Sequence, residues 1–155
     1  LAALEQVAPH SRVLVQAYVP CSRTWHTNRM EHVGSFAISR RDAFTNDQWA
    51  MPGAQLIGVK YDRGAPFVVD PSQILRANPR CMGYLETTLP RTLKLLPEAA
   101  FDYVWFIDLP RAAWPDDARL VPVWNGGRRG ILYRLAGSAT SASDTPNGSA
   151  ARPTR

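Results

Sequence analysis

Asp102-Tyr-Val-Trp-Phe-Ile-Asp108 encloses five apolar residues between two carboxylates. The run is far shorter than the roughly 20 residues of a membrane-spanning helix. It also lacks the alternation that would leave one face in water, so it predicts a central strand covered on both sides. Arg12-Val-Leu-Val-Gln-Ala-Tyr-Val19, bounded by Pro9 and Pro20, has the same character. The two segments are expected to be parallel neighbours in one sheet. Ligands in such sheets sit beyond the carboxyl ends of strands, which here are Pro20-Cys21 and Asp108-Leu109.

The rest of the chain supplies weaker signals. Leu1, Leu4 and Val7 share a helical face that Pro9 ends. Val33–Ser39 reads as a second strand with Phe36 and Ile38 on one face, followed by a turn or one helical turn over 40–49. Pro52-Gly53 breaks the pattern, and Gln55–Tyr61 is a third strand candidate. Residues 62–83 carry three prolines and few regular signals, with a short helix expected near Ser72–Arg76. A structureless stretch of that length in a compact domain is often functional. Leu89, Leu93, Leu96 and Ala100 form a helical stripe over 89–101, with Pro90 in the first turn and Pro97 as a kink or stop. Residues 119–124 and 130–135 flank Asn125-Gly-Gly and predict a hairpin, whose first strand should lie at an edge or contain a bulge because of Pro122. Ala136–Arg155 has no Leu, Ile, Val or aromatic residue and is expected to be a disordered tail. These elements predict one α/β domain over 1–135, with a mixed, mostly parallel sheet, covering helices and a C-terminal hairpin.

Charge narrows the partners. The net charge is +5, and sixteen of the eighteen basic residues are Arg, Lys60 and Lys94 being the exceptions. Arg favours forked contacts with phosphate or carboxylate. The basic residues are scattered, however, whereas nucleic-acid binders concentrate them on one face, so no nucleic-acid partner is expected. Cys21 and Cys81 lie outside any CxxC pair. They fit one disulfide in an oxidising compartment or two unrelated buried thiols, and the sequence does not choose between these.

No phosphate-binding glycine loop, GxSxG, HExxH or EF-hand pattern occurs. The richest polar cluster is His26-Thr-Asn-Arg-Met-Glu-His32. His26, Glu31 and His32 are metal-type donors, but their spacing matches no regular framework, so neither a metal nor a cofactor is expected. A polar loop with locally bonded histidines accounts for the same residues. Asp108, at the end of the central strand, is the better acid/base candidate, whereas Asp102 reads as a connector. Cys21 lies close to His26 in sequence, which by itself makes no dyad. Trp25, Trp49 and Trp114 sit in polar or proline-rich loops and suit either a sugar-stacking surface or loop cover, whereas Trp105 is core. The expected ligand-binding set is His26, Arg29, His32, Arg40, Arg41 and Asp108, with the arginines facing a phosphate or uronate.

Four segments carry a resemblance: His32–Phe44, Pro52–Leu56, Phe101–Asp108 and Leu120–Arg134. In them the chain resembles the C-terminal soluble segment of bacterial multi-spanning membrane proteins, some of which are similar to glycosyltransferases acting on lipid-linked sugars. The resemblance implies a domain on the extracytoplasmic, periplasmic face of the inner membrane, with its cysteines on an oxidising side. The start at Leu1, without a signal peptide, would then mark a cut after the last spanning helix. The catalytic carboxylate of that enzyme class lies in an early loop between membrane helices, so this chain would hold no catalytic residue and would bind, position or cap. Its partners would be the membrane-spanning part and an anionic glycan or lipid phosphate. The alternatives are a free-standing small α/β hydrolase or transferase using Asp108 with His26 or His32, and a protein-interaction scaffold.

Overall fold

The computed structural model describes residues 2–21, 30–48 and 58–138. Its centre is β1 (Arg12–Val19), which pairs in parallel with β2 (Phe44–Thr45), β3 (Ile74–Arg76) and β5 (Tyr103–Ile107). β4 (Thr87–Thr88) extends the sheet beyond β3, again in parallel. On the other side β5 pairs antiparallel with β7 (Gly130–Leu135), which pairs antiparallel with β6 (Leu120–Asn125). The order is β4-β3-β1-β5-β7-β6, with β2 sharing the β3 edge of β1. The chain is therefore a mixed α/β fold on a mostly parallel sheet, and the predicted β1–β5 pair is in register from Val13↔Tyr103 to Ala17↔Ile107.

Both faces of the sheet are dry, as the unalternating apolar runs require. Leu14, Val104 and Phe106 point into one core with Phe67, Leu75, Phe101, Leu120 and Tyr133. Val13, Val15, Ala17, Tyr103, Trp105 and Ile107 point into the other, under Ala3, Leu4, Val7 and Ala37. The side-chain period of two sorts one apolar run onto two cores. Asp102 proves more than a connector: its carboxylate takes the Arg12 guanidinium at 2.6 and 2.9 Å and the Arg12 backbone N–H at 2.8 Å, tying β1 to β5 at their amino ends.

Several local readings are corrected. The stretch read as a strand at Val33–Ser39 is a 3-10 turn followed by α1 (Phe36–Arg41). Phe36 and Ile38, expected on one face of a strand, are 46% and 40% exposed, while Gly34 and Ala37 are buried. A Cβ on Gly34 would lie 2.5 Å from Val15 Cγ2, so a close approach of backbone to β1 decides the conformation. The short helix expected near Ser72–Arg76 is strand β3, because β1 has free ladder groups beyond Val15 and Ala17 N–H donates to Gln73 O. The helix expected over 89–101 is α2 (Leu89–Leu95), which Pro97 prevents from continuing. At the amino end, Ala2–Gln6 is a 3-10 turn rather than an α-helix. Of the strand candidate Gln55–Tyr61, residues 55–57 lie outside the described residues, and 58–61 form no strand. The tail beyond residue 138 also lies outside them. The hairpin forms as expected, with β6 at the edge and a register shift between Pro122 and Trp124. Among the described residues no helix is long and apolar enough to cross a membrane.

Candidate functional site

One edge of β1 changes partner midway. β2 pairs with Arg12 and Val13, and β3 begins opposite Ala17. Val15 falls in the gap, and the side-chain amide of Asn46 fills it, accepting from Val15 N–H and donating to Val15 O. Asn46 also donates to Ser72 Oγ, joining the exit of β2 to the approach of β3. Three segments converge on this seam: Asn46-Asp47 after β2, Asp70–Gln73 before β3, and the Met30–Ser35 turn that leads into α1.

Glu31, His32 and Asp70 meet there. One ligand-type atom from each, a ring nitrogen and two carboxylate oxygens, lies within 4.8 Å of the others. Asp47 stands behind His32. Its side chain is wholly buried, and its Oδ1 lies 2.8 Å from His32 Nδ1. Asp47 Oδ2 accepts from Ser35 N–H at 2.9 Å, and Ser35 Oγ–H donates to the Asp47 carbonyl, also at 2.9 Å. The turn before α1 thus orients the carboxylate that orients the imidazole. Asp70 is held from below by Gln73, whose Nε2 donates to Asp70 Oδ1. Gln73 is fully buried, and its other amide atom, Oε1, has no hydrogen-bond partner among the described residues.

The seam is electronegative. Burial pushes the Glu31 carboxyl up; the His32 charge opposes this, while Asp70, Asp47 and Glu86 add to it. Burial also pushes Asp47 up, against the pull of His32 and Ser35. For His32 burial disfavours the charged ring, but the hydrogen bond and charge of Asp47, with Glu31 and Asp70, outweigh it and raise its pKa. The neighbouring carboxylate Glu86 is neutralised by a forked pair with Arg76, both contacts 2.8 Å. Among the described residues no Lys or Arg pairs with Glu31 or Asp70. Two carboxylates and one imidazole without a fixed cation suit a divalent metal ion or a shared proton.

The expected ligand residues are dispersed. His26 and Arg29, with Trp25 and Trp49, lie outside the described residues. His32 sits beside the middle of β1, in the seam. Arg41 sits beside the amino end of β1, where its Nε donates to Leu4 O at 2.6 Å and its carbonyl accepts from His10 N–H. Arg40 packs its guanidinium over the exposed Phe36 ring at 5.4 Å. Asp108 ends β5 at the carboxyl side, as expected, in a left-handed conformation with φ 54°. Burial raises its pKa, and its side chain has no partner among the described residues. The exposed Arg128 and Arg129 lie in the hairpin turn against it, Asp108 N–H donating to Arg129 O at 3.3 Å. Trp114 covers its loop, its Nε1–H donating to Leu109 O, with the Arg111 guanidinium 5.8 Å from its ring. Sequence reasoning missed Asp47, Asp70 and Gln73. The one signal for Asp70 was its place in the long proline-rich stretch.

Cys21, just past β1, is joined to Cys81 in the β3–β4 connection, their Cα atoms 5.7 Å apart. Of the two readings the sequence left open, the structure takes the disulfide. No family model matches this chain, and no curated protein and no solved structure matches it.

Proposed function

We propose that this chain is an extracytoplasmic binding domain on the periplasmic face of a bacterial inner membrane. In this reading it serves a membrane-spanning region of the kind that handles lipid-linked sugars, and it has no catalytic centre of its own. The observation that carries the reading is the Cys21–Cys81 bridge, because disulfides persist where the surroundings are oxidising. The resemblance of residues 32–44, 101–108 and 120–134 supports the membrane association. The carboxyl end of β5 supports an anionic ligand, an acidic glycan or lipid phosphate. Arg111, Arg128 and Arg129 are exposed there around Asp108, at the end of the sheet where α/β folds take their ligands.

The test has two arms. In native membranes, Cys21 and Cys81 are expected to resist alkylation until a reductant is added; alkylation of both without reduction overturns the compartment. In NMR titrations with an acidic oligosaccharide or an isoprenoid phosphate, shifts are expected at 108–111 and 126–130, and their loss in an Arg128→Ala/Arg129→Ala variant. No shifts at millimolar ligand, or shifts that survive in that variant, overturn the binding role.

A further inference from the structure

We propose that the seam between β2 and β3 is a divalent transition-metal site, with Glu31, His32 and Asp70 as protein ligands and zinc as the best-fitting ion. This inference is independent of the compartment and of the glycan reading.

The donor set is one imidazole nitrogen and two carboxylate oxygens, contributed by two segments far apart in sequence but brought within 4.8 Å of one another. Imidazole and carboxylate together suit zinc and its first-row neighbours, whereas calcium and magnesium prefer oxygen alone. A tetrahedral ion with bonds of about 2.1 Å holds its ligand atoms roughly 3.4 Å apart. Closing the cluster onto an ion therefore needs a contraction of no more than about 1.4 Å along any edge, within reach of side-chain rotation.

Two features beyond the cluster point the same way. The first is Gln73. It is fully buried and anchored through Nε2 to Asp70, a member of the cluster, yet its Oε1 has no partner among the described residues. A buried carbonyl without a donor is costly in a protein interior. In the proposed site a water carried by the ion would be that donor. The second is Asp47, which is wholly buried and engages His32 Nδ1. In metal sites the ligating histidine is typically held in this way by a carboxylate on its other nitrogen, which fixes the tautomer and strengthens the donor. Asp47 is thus a positioning residue, and the backbone and hydroxyl of Ser35 hold it in turn. Three protein ligands leave at least one position on the ion for water or for an anionic group of a ligand, the arrangement of an open site.

The test uses the full chain without an affinity tag, stripped with a chelator. Zinc is titrated by calorimetry, and cobalt is titrated by visible absorption as a second readout. One equivalent of zinc is expected to bind at micromolar concentration or tighter and to raise the melting temperature. Cobalt is expected to give an absorption band that zinc displaces. Glu31→Gln and Asp70→Asn are expected to weaken zinc binding by more than about 100-fold while the metal-free proteins stay folded, since each change removes charge from an electronegative seam. His10→Ala, at an exposed histidine beside Asp42, is the control and should bind as the parent does. No saturable binding below millimolar zinc overturns the site. Undiminished binding in Asp70→Asn also overturns it, as does tighter binding of calcium than of zinc.

Discussion

The side-chain amide of Asn46 binds both backbone groups of Val15, accepting from its N–H at 2.7 Å and donating to its carbonyl at 3.1 Å. A single side chain thus stands in for a strand residue between β2 and β3. Both short strands pair with the same edge of β1, and without Asn46 the buried Val15 N–H would lose its partner, while Val15 O would keep only the Gln16 side-chain amide at 3.0 Å. The same arrangement places Asp47, the next residue, against His32. The integrity of the sheet and the geometry of the candidate site therefore share one local structure.

Asn46→Ala is expected to destabilise the protein by about 1–3 kcal/mol, the cost of leaving the buried Val15 N–H unpaired. Asn46→Asp keeps the acceptor for Val15 N–H but sets an oxygen against Val15 O, so it should also destabilise. Urea unfolding measures both. A loss below about 1 kcal/mol for Asn46→Ala would mean that water replaces the amide.

Gly130 and Gly127 both have positive φ, but their surroundings differ. At Gly130, with φ 106°, an added Cβ would lie 1.9 Å from the Phe106 carbonyl oxygen, a backbone atom that cannot rotate away. At Gly127, with φ 61°, the space is open. Gly127→Ala should cost about 1–2 kcal/mol, the left-handed penalty alone. Gly130→Ala should cost more than about 3 kcal/mol, through strain and displacement of β7 from β5. Equal losses in thermal unfolding would show that the hairpin pivots freely on β5.

Trp105 is 3% exposed in the middle of β5. Its truncation to Ala is expected to cost about 3–5 kcal/mol, more than Trp114→Ala or Trp124→Ala, since both of those side chains are partly exposed. Denaturant midpoints rank the three. A larger loss for Trp114→Ala would place the weight of the core under the loop after β5 instead.

Glu86 predicts a loss of stability in acid. Burial disfavours its carboxylate, but the Arg76 fork, the Gly83 N–H and the Arg76 charge outweigh that and hold its pKa below the ordinary value. A group whose pKa is lower in the folded state stabilises fully above its unfolded value, about 4.3. That contribution is lost as pH falls through the folded value. Stability measured from pH 6 to pH 2 should therefore fall more steeply in the parent than in Glu86→Gln below about pH 4. Parallel curves would show that Arg76 gains as much from solvent as from Glu86.

The spine of the fold is legible in local residue patterns. Tyr103–Ile107 and Arg12–Val19 are runs that only a doubly covered strand satisfies, so their place and pairing follow from composition and the period of two. Asn125-Gly-Gly and Pro122 likewise fix the hairpin and the bulged edge, because turn and ladder rules act over a few residues. Long-range contacts set the rest. Val33–Ser39 alternates like a strand, yet it turns into α1 because Gly34 must close on Val15. Ser72–Arg76 has no strand signature of its own and becomes β3 because β1 offers it free N–H and C=O groups. The cluster was hidden for the same reason. Glu31 and His32 are visible as a polar pair, but Asp70 and Asp47 lie in separate stretches with no shared spacing. Only the change of partner along β1 brings their carboxylates to one imidazole, since a sheet edge joins segments by hydrogen bonds that no local pattern records.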